Sequence, residues 1–522
     1  MKKKILHLEI WLTAIYFVVV LIGILHHEPW RDEFQAWMIA KASKTPIDIL
    51  ANARLEGHPM LWFLLLYVVK LFSTHIFAMQ LLHITLSTIA VYIFLRYSPF
   101  SLIEKFLFIS GYYLLFEYAL ISRSYILSMV LAFSFCALYS NAKKNIIYLA
   151  FILLLLANTS VFGLGLCCSF LLFLIVDLYF NKPQLLVDKA FRVPLVLSVI
   201  IIGIGILLSV LQVKPKPEFS MPIAWPKEIQ MDRLKIASLG IPTAYFPIPK
   251  ESKEKFWNTG IFIKEPVLKD PNLHSYFLLA MGIIVFFSLL FSKNIAVSLL
   301  YAGGSLCLYG LLYVTLLFRE YRFIGAFYTL FISSFWLYMS APETKSPLLG
   351  FAKKIKPIGH FFFIFILSIH TIAGLSVYSK NMRYTFSNIP DAGEFIASHE
   401  LKDAFVFGTI DYVVSPLADY LDKPIYYPER KGSSSFMLWD TAKKWNLNFN
   451  DMLADMIGKA QEHKEMMAIL SYPLINSQTR EIIQEGNLTT DIMLKLIGRF
   501  DKNCISKDEK YYIYHIFKQT EK

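Results

Sequence analysis

Long apolar runs broken by short polar segments repeat along the first three-quarters of the chain, and this rhythm predicts most of its elements. The first run, Leu8 to Leu25, follows Lys2, Lys3 and Lys4. Its length is close to the roughly 20 residues that span a bilayer, and no small-residue cleavage site follows it. It predicts an uncleaved first span with the lysines on the cytoplasmic side. Further runs near 75–95, 103–118, 125–140, 146–157, 161–180, 193–211, 275–291, 295–317, 323–340 and 361–378 bring the expected total to about eleven. The run from Pro59 to Phe72 is short and carries Lys70, which suits a helix lying on the external membrane surface.

Loop charges test this alternation. The loops expected inside contain Arg96 and Lys105; Lys143 and Lys144; Lys182, Lys189 and Arg192; Lys293; and Lys345, Lys353, Lys354 and Lys356. Every one is basic, as cytoplasmic loops should be. Counting Pro59–Phe72 as a span would move all of them outside. An odd number of spans places the C-terminal region outside.

Three external segments are long. They cover 26–74, 212–274 and the tail 379–522. The tail is more polar than the body, with short apolar stretches at Ala404–Phe407, Ile425–Tyr427, Met467–Leu470 and Tyr511–Phe517. Helix-like segments at Asp451–Glu462 and Thr489–Ile497 lie between them, so the tail reads as a small α/β domain. The expected organisation is therefore a polytopic α-helical membrane domain over 1–378 and an external α/β domain over 379–522.

Composition agrees. The chain is 56% hydrophobic and only 17% charged, against about 45–50% and about 25% in ordinary soluble domains. That excludes a disordered chain or a disulfide-rich module and argues against a purely soluble enzyme. The net charge of +12 is assigned to inside loops and not to nucleic-acid binding. Cys136, Cys167, Cys168 and Cys307 sit in apolar runs and are expected to be small buried residues, and no cysteine spacing suggests zinc.

Four polar clusters could carry chemistry, and the expected topology puts all of them outside. Asp32 and Glu33 lie between Trp30 and Trp37. A carboxylate here could act as a general base or hold a divalent metal, or could simply cap the following helix. His58, in Glu56-Gly57-His58-Pro59-Met60-Leu61-Trp62, could meet a phosphate, a metal or a hydroxyl, or be a turn residue. Arg123 and Tyr125 stand at one span junction, and Arg319, Glu320 and Arg322 at another. Guanidinium groups bind phosphate through paired hydrogen bonds, though either cluster could be structural. In the tail, Asp411 and Tyr412 could contact a sugar.

With these residues in view, the chain resembles the GT-C class of membrane glycosyltransferases, whose relatives include protein O-mannosyltransferases and the bacterial aminoarabinose transferase of lipid A. Asp32-Glu33 matches the acidic motif of the family's first external loop. Gly57-His58-Pro59-Met60-Leu61-Trp62 is similar to its His-Pro-Pro-Leu-Tyr segment, with Met60 replacing the second proline. Ser122-Arg123-Ser124-Tyr125 resembles its Ala-Arg-x-Tyr stretch. Arg322-Phe323-Ile324-Gly325 resembles an Arg-His-x-Gly segment of some bacterial members, with Phe323 replacing the histidine.

The resemblance covers about the first 340 residues and implies a polyprenyl-phosphate sugar as donor. It implies transfer to a lipid, glycan or protein acceptor at the external face, and the lysine-rich N-terminus fits a bacterial inner membrane. Asp32 is the implied catalytic base, with Glu33 second. Arg123, Arg319 and Arg322 would stabilise the leaving phosphate, with His58 and Tyr125 beside it. Some members use a divalent metal and others do not; Asp32 and Glu33 would hold one. The competing readings are a transporter or flippase of lipid-linked saccharides, and a non-catalytic scaffold.

Overall fold

The computed structural model describes residues 2–219, 228–250, 253, 255–342, 348–476 and 478–519. Lys345, the side chains of Lys2–Lys4 and part of the 212–274 loop lie outside the described residues. The chain is mostly helical and ends in a sheet domain. Eight helices among the described residues are long and apolar enough to cross a membrane, the first being Leu8–Leu25 and the last Leu349–Asn381. This is the architecture of a multi-pass membrane protein.

The three other expected spans are shorter. Leu102–Ile109 stops at Ser110-Gly111 and resumes as a π-helical turn over Tyr113–Glu117. Tyr125–Tyr139 and Ala142–Ala157 have 15 and 16 residues. Each buries one face in the bundle core, and Thr371 of the Leu349–Asn381 helix donates to the Leu107 carbonyl near the break.

Polar contacts sort the helix junctions into two ends. At one end Glu9 lies 3.4 Å from Arg96 and 3.9 Å from Lys105, Glu104 lies 3.7 Å from His360, and Lys143 lies 2.7 Å from Asp188. The Asn181 amide meets Asn294 there, and the Lys293 ammonium sits over the Tyr338 ring. At the other end His27 meets Asn381 and Glu33, Ser122 meets Glu33, and Trp257 meets Glu117. The described basic loops thus share one end, and the four polar clusters share the other. Pro59–Phe72 does not cross between them. Its helix, Leu61–Lys70, keeps the Met60 amide on Gln212 and the Lys70 ammonium on the Lys41 carbonyl.

The tail forms a seven-stranded mixed sheet in the order β3-β2-β1-β4-β7-β6-β5. The strands are β1 (Phe405–Gly408), β2 (Ile425–Tyr427), β3 (Gly432–Ser434), β4 (Glu465–Leu470), β5 (Glu485–Asn487), β6 (Ile492–Phe500) and β7 (Tyr511–Lys518). β1 runs parallel to β2 on one side and β4 on the other, and the remaining pairs are antiparallel. The helix expected near Asp451–Glu462 is present as Phe449–Glu462. The one expected over Thr489–Ile497 is instead strand β6, whose pairing with β7 overrides local helix propensity.

The first loop belongs physically to the sheet domain. Phe34 and Trp37 of the helix Arg31–Ala42, and Trp62 of Leu61–Lys70, share one apolar core with Ile389, Leu417 and Tyr511. Two cysteines depart from expectation: Cys168 and Cys307 face outward, where an apolar side chain suits lipid as well as a core.

Candidate functional site

The helix Arg31–Ala42 opens directly after the first span and turns about 100° per residue, so Asp32 and Glu33 leave it in different directions. Glu33 points into protein and is fully buried. It accepts hydrogen bonds from the Ser122 amide at 2.6 Å, the Trp30 amide at 3.1 Å and His27 Nε2 at 3.2 Å. The other ring nitrogen of His27 meets Asn381 Oδ1 at 2.9 Å. Burial opposes the charge on His27, but Glu33 and Asn381 outweigh it and raise the imidazole above its ordinary range. Glu33 therefore ties the first span to the Ser122 junction and the last helix.

Asp32 points the other way, into a cavity of about 1020 Å³ where the helical body meets the sheet domain. Its Oδ2 lies 3.2 Å from Arg322 Nη2, and Arg123 donates to its backbone carbonyl. Burial pushes the Asp32 carboxyl up, but Arg322, Arg123 and Arg31 together hold it below the usual carboxylate range.

Arg322 is the second element of the site. Its side chain is only 11% exposed and also lies 3.3 Å from Glu320. The guanidinium sits 5.1 Å from the Trp30 ring centre. Its Nε and Nη1 are buried without a hydrogen-bond partner. Buried donors without a partner are uncommon, and both here belong to a cation. Asn258 orients Glu320 from the opposite side at 2.9 Å, and Tyr118 donates to the Arg322 carbonyl at 2.8 Å.

The other expected residues gather around this pair with different exposures. Arg319 lines the cavity and pairs with Glu265. His58, Arg123 and Tyr125 are not part of the cavity lining. The His58 ring meets the Tyr125 ring edge-on at 6.5 Å, and its Nδ1 has no hydrogen-bond partner. Burial, helped by the Arg123 and Arg322 charges, pushes His58 down to about 3, so it is neutral at ordinary pH. Tyr125 packs against Phe323 at 5.3 Å.

Asp32 and Glu33 do not converge on a common point, and each faces donors already. Among the described residues no group of three His, Cys, Asp or Glu side chains is arranged to hold a metal ion. The pair does not fit the metal-binding role.

Sequence reasoning missed much of the cavity wall. Trp257 and Asn258 come from the long second loop, and Glu429, Trp439, Lys443 and Trp445 from the tail. Glu56, two residues before His58, accepts from Gln35 at 2.8 Å, and burial pushes it up to about 7. No spacing links these positions along the chain. Comparison with protein-family models, curated proteins and solved structures finds no match for this chain.

Proposed function

We propose that the protein is a membrane glycosyltransferase that moves a sugar from a polyprenyl-phosphate donor to an acceptor at the external membrane face. The observation that carries this reading is the Asp32–Arg322 pair in a large cavity, with two Arg322 donors unpaired. The shared end of the basic loops supports the orientation, with that end cytoplasmic and the sheet domain outside, in a bacterial inner membrane.

In the proposed reaction the lipid stays in the bilayer and its phosphate docks on Arg322, with Arg319 at the rim. Asp32, kept ionised by its arginine neighbours, takes the proton of an acceptor hydroxyl. That oxygen bonds to the anomeric carbon as the carbon–phosphate oxygen bond breaks, and the electron pair leaves onto the phosphate. Phosphate binding offsets the Arg322 charge beside Asp32 and so makes the carboxylate a stronger base once the donor is bound. Arg123 holds the Asp32 backbone, and Glu33 fixes the helix that presents it. The test is transfer from a synthetic polyprenyl-phosphate sugar by the purified protein. Wild type should release polyprenyl phosphate in step with glycosylated product, and Asp32→Asn should slow both by about 100-fold or more. Translocation of the lipid-linked sugar without product would support a flippase instead.

A further inference from the structure

The cavity has a second wall that the proposed donor chemistry does not use. It is built at the carboxyl ends of the parallel strands β1 and β2, where the direction of chain crossover reverses about β1. Open α/β sheets place ligand sites at such a reversal. Ile410, directly after β1, adopts φ 60° and ψ 76°. A β-branched residue in the left-handed region is strained, and such strain concentrates at binding sites. The strained turn aims the Ile410 amide at Glu429 Oε1.

Glu429 is 7% exposed and lines the cavity, yet its Oε2 has no hydrogen-bond partner. Beside it stand Trp439 and Trp445, with ring centres 5.9 Å apart and planes 36° from parallel. The Lys443 ammonium lies 3.8 Å from the Trp445 ring centre and is held at 2.5 Å by the buried Asp411. One face of Trp445 is thus braced, while the residue remains 39% exposed. Both tryptophans line the same cavity as Asp32.

A braced, partly exposed indole pair offers electron-rich faces to weakly polarised C–H groups. A buried carboxylate oxygen without a partner asks for a donor, and a sugar hydroxyl supplies one. A sugar ring presents both features together. An acyl chain would leave Glu429 unpaired, and a peptide does not need the paired indoles.

We infer that this wall is the acceptor subsite and that the acceptor is a saccharide. Its ring stacks on Trp439 and Trp445, a hydroxyl donates to Glu429 Oε2, and another faces Asp32. The acceptor role rests on the transferase reading above; the saccharide site does not.

The experiment uses the full chain in lipid nanodiscs without donor. Tryptophan fluorescence and calorimetry follow titration with gluco-, manno-, galacto- and N-acetylglucosamine hexasaccharides, and with a serine/threonine peptide as control. At least one hexasaccharide should bind saturably. Trp445→Ala and Glu429→Gln should weaken it at least tenfold with an unchanged melting temperature, and Trp445→Phe should restore most of it. Absence of saccharide binding, binding indifferent to Trp445→Ala, or a response to the peptide alone would overturn the proposal. If Trp445-dependent saccharide binding holds but Asp32→Asn forms product at the wild-type rate, the catalytic assignment fails and the saccharide site stands.

Discussion

Arg322 Nη2 lies 3.2 Å from Asp32 Oδ2, joining the start of the Tyr321–Ser340 helix to the start of the Arg31–Ala42 helix across 290 positions of sequence. The contact sets both partners. Arg322 holds Asp32 below the usual carboxylate range, and because Asp32 and Glu320 both meet Nη2 the guanidinium's other two nitrogens are buried without a hydrogen-bond partner.

Replacing Asp32 by Asn keeps the shape of the side chain and removes its basicity. A positioned base contributes about 100- to 10,000-fold to a rate. We expect transfer to fall within that range and the melting temperature to stay close to wild type, because Asp32 faces the cavity. A variant with full transfer activity would remove Asp32 from the mechanism.

The pH profile provides an independent check. Asp32 is active when ionised and sits below the usual carboxylate range, so transfer should stay level through neutral pH and fall only in acid. Arg322→Gln removes the largest attraction opposing burial. The Asp32 carboxyl should then rise, and the acid limb of the normalised rate should move to higher pH. An unmoved limb would show that the titrating group lies elsewhere.

Glu33→Ala should act on folding. It leaves His27 buried without its carboxylate and strips an acceptor from two backbone amides. Breaking one side of a buried pair costs about 3–5 kcal/mol, so we expect low yield and early thermal unfolding.

His27 gives that stability a pH dependence. Its native value lies above the ordinary 6.5, because Glu33 and Asn381 outweigh the opposing effect of burial. The contribution is complete below about pH 6.5 and disappears as pH rises through the native value. Thermal melts from pH 6 to 9 should show wild type losing stability that His27→Gln does not lose. Parallel curves would exclude a charged His27.

Gly325→Ala probes the packing beneath Arg322. A methyl group there would strike the Tyr118 hydroxyl and the Tyr113 ring. Because Tyr118 holds the Arg322 carbonyl, the insertion should displace Arg322 as well as cost about 1–3 kcal/mol of overpacking. Reduced donor affinity with the protein still inserted is the expected result, read by donor titration.

Much of the fold was legible because its cues are local. Apolar runs marked the eight long helices and the short Leu61–Lys70 helix, while three further runs expected to cross fold as shorter helices. The strands β1, β2, β4 and β7 announced themselves as apolar stretches. β6 did not: its Ile492–Phe500 sequence carries Lys495 and Arg499 and becomes a strand through long-range pairing with β7.

By itself the sequence marked the long apolar helices and the short list Asp32, Glu33, His58, Arg123, Tyr125, Arg319 and Arg322, since hydropathy and charge add up over neighbouring residues. Only the tertiary structure separated the surroundings of Asp32 from those of Glu33. They are adjacent in sequence but about 100° apart on a helix, and the packing around that helix sends one into a cavity and the other into the core. It alone brought Glu429, Trp439 and Trp445 opposite Asp32, because walls made by distant segments meet only when the chain is folded.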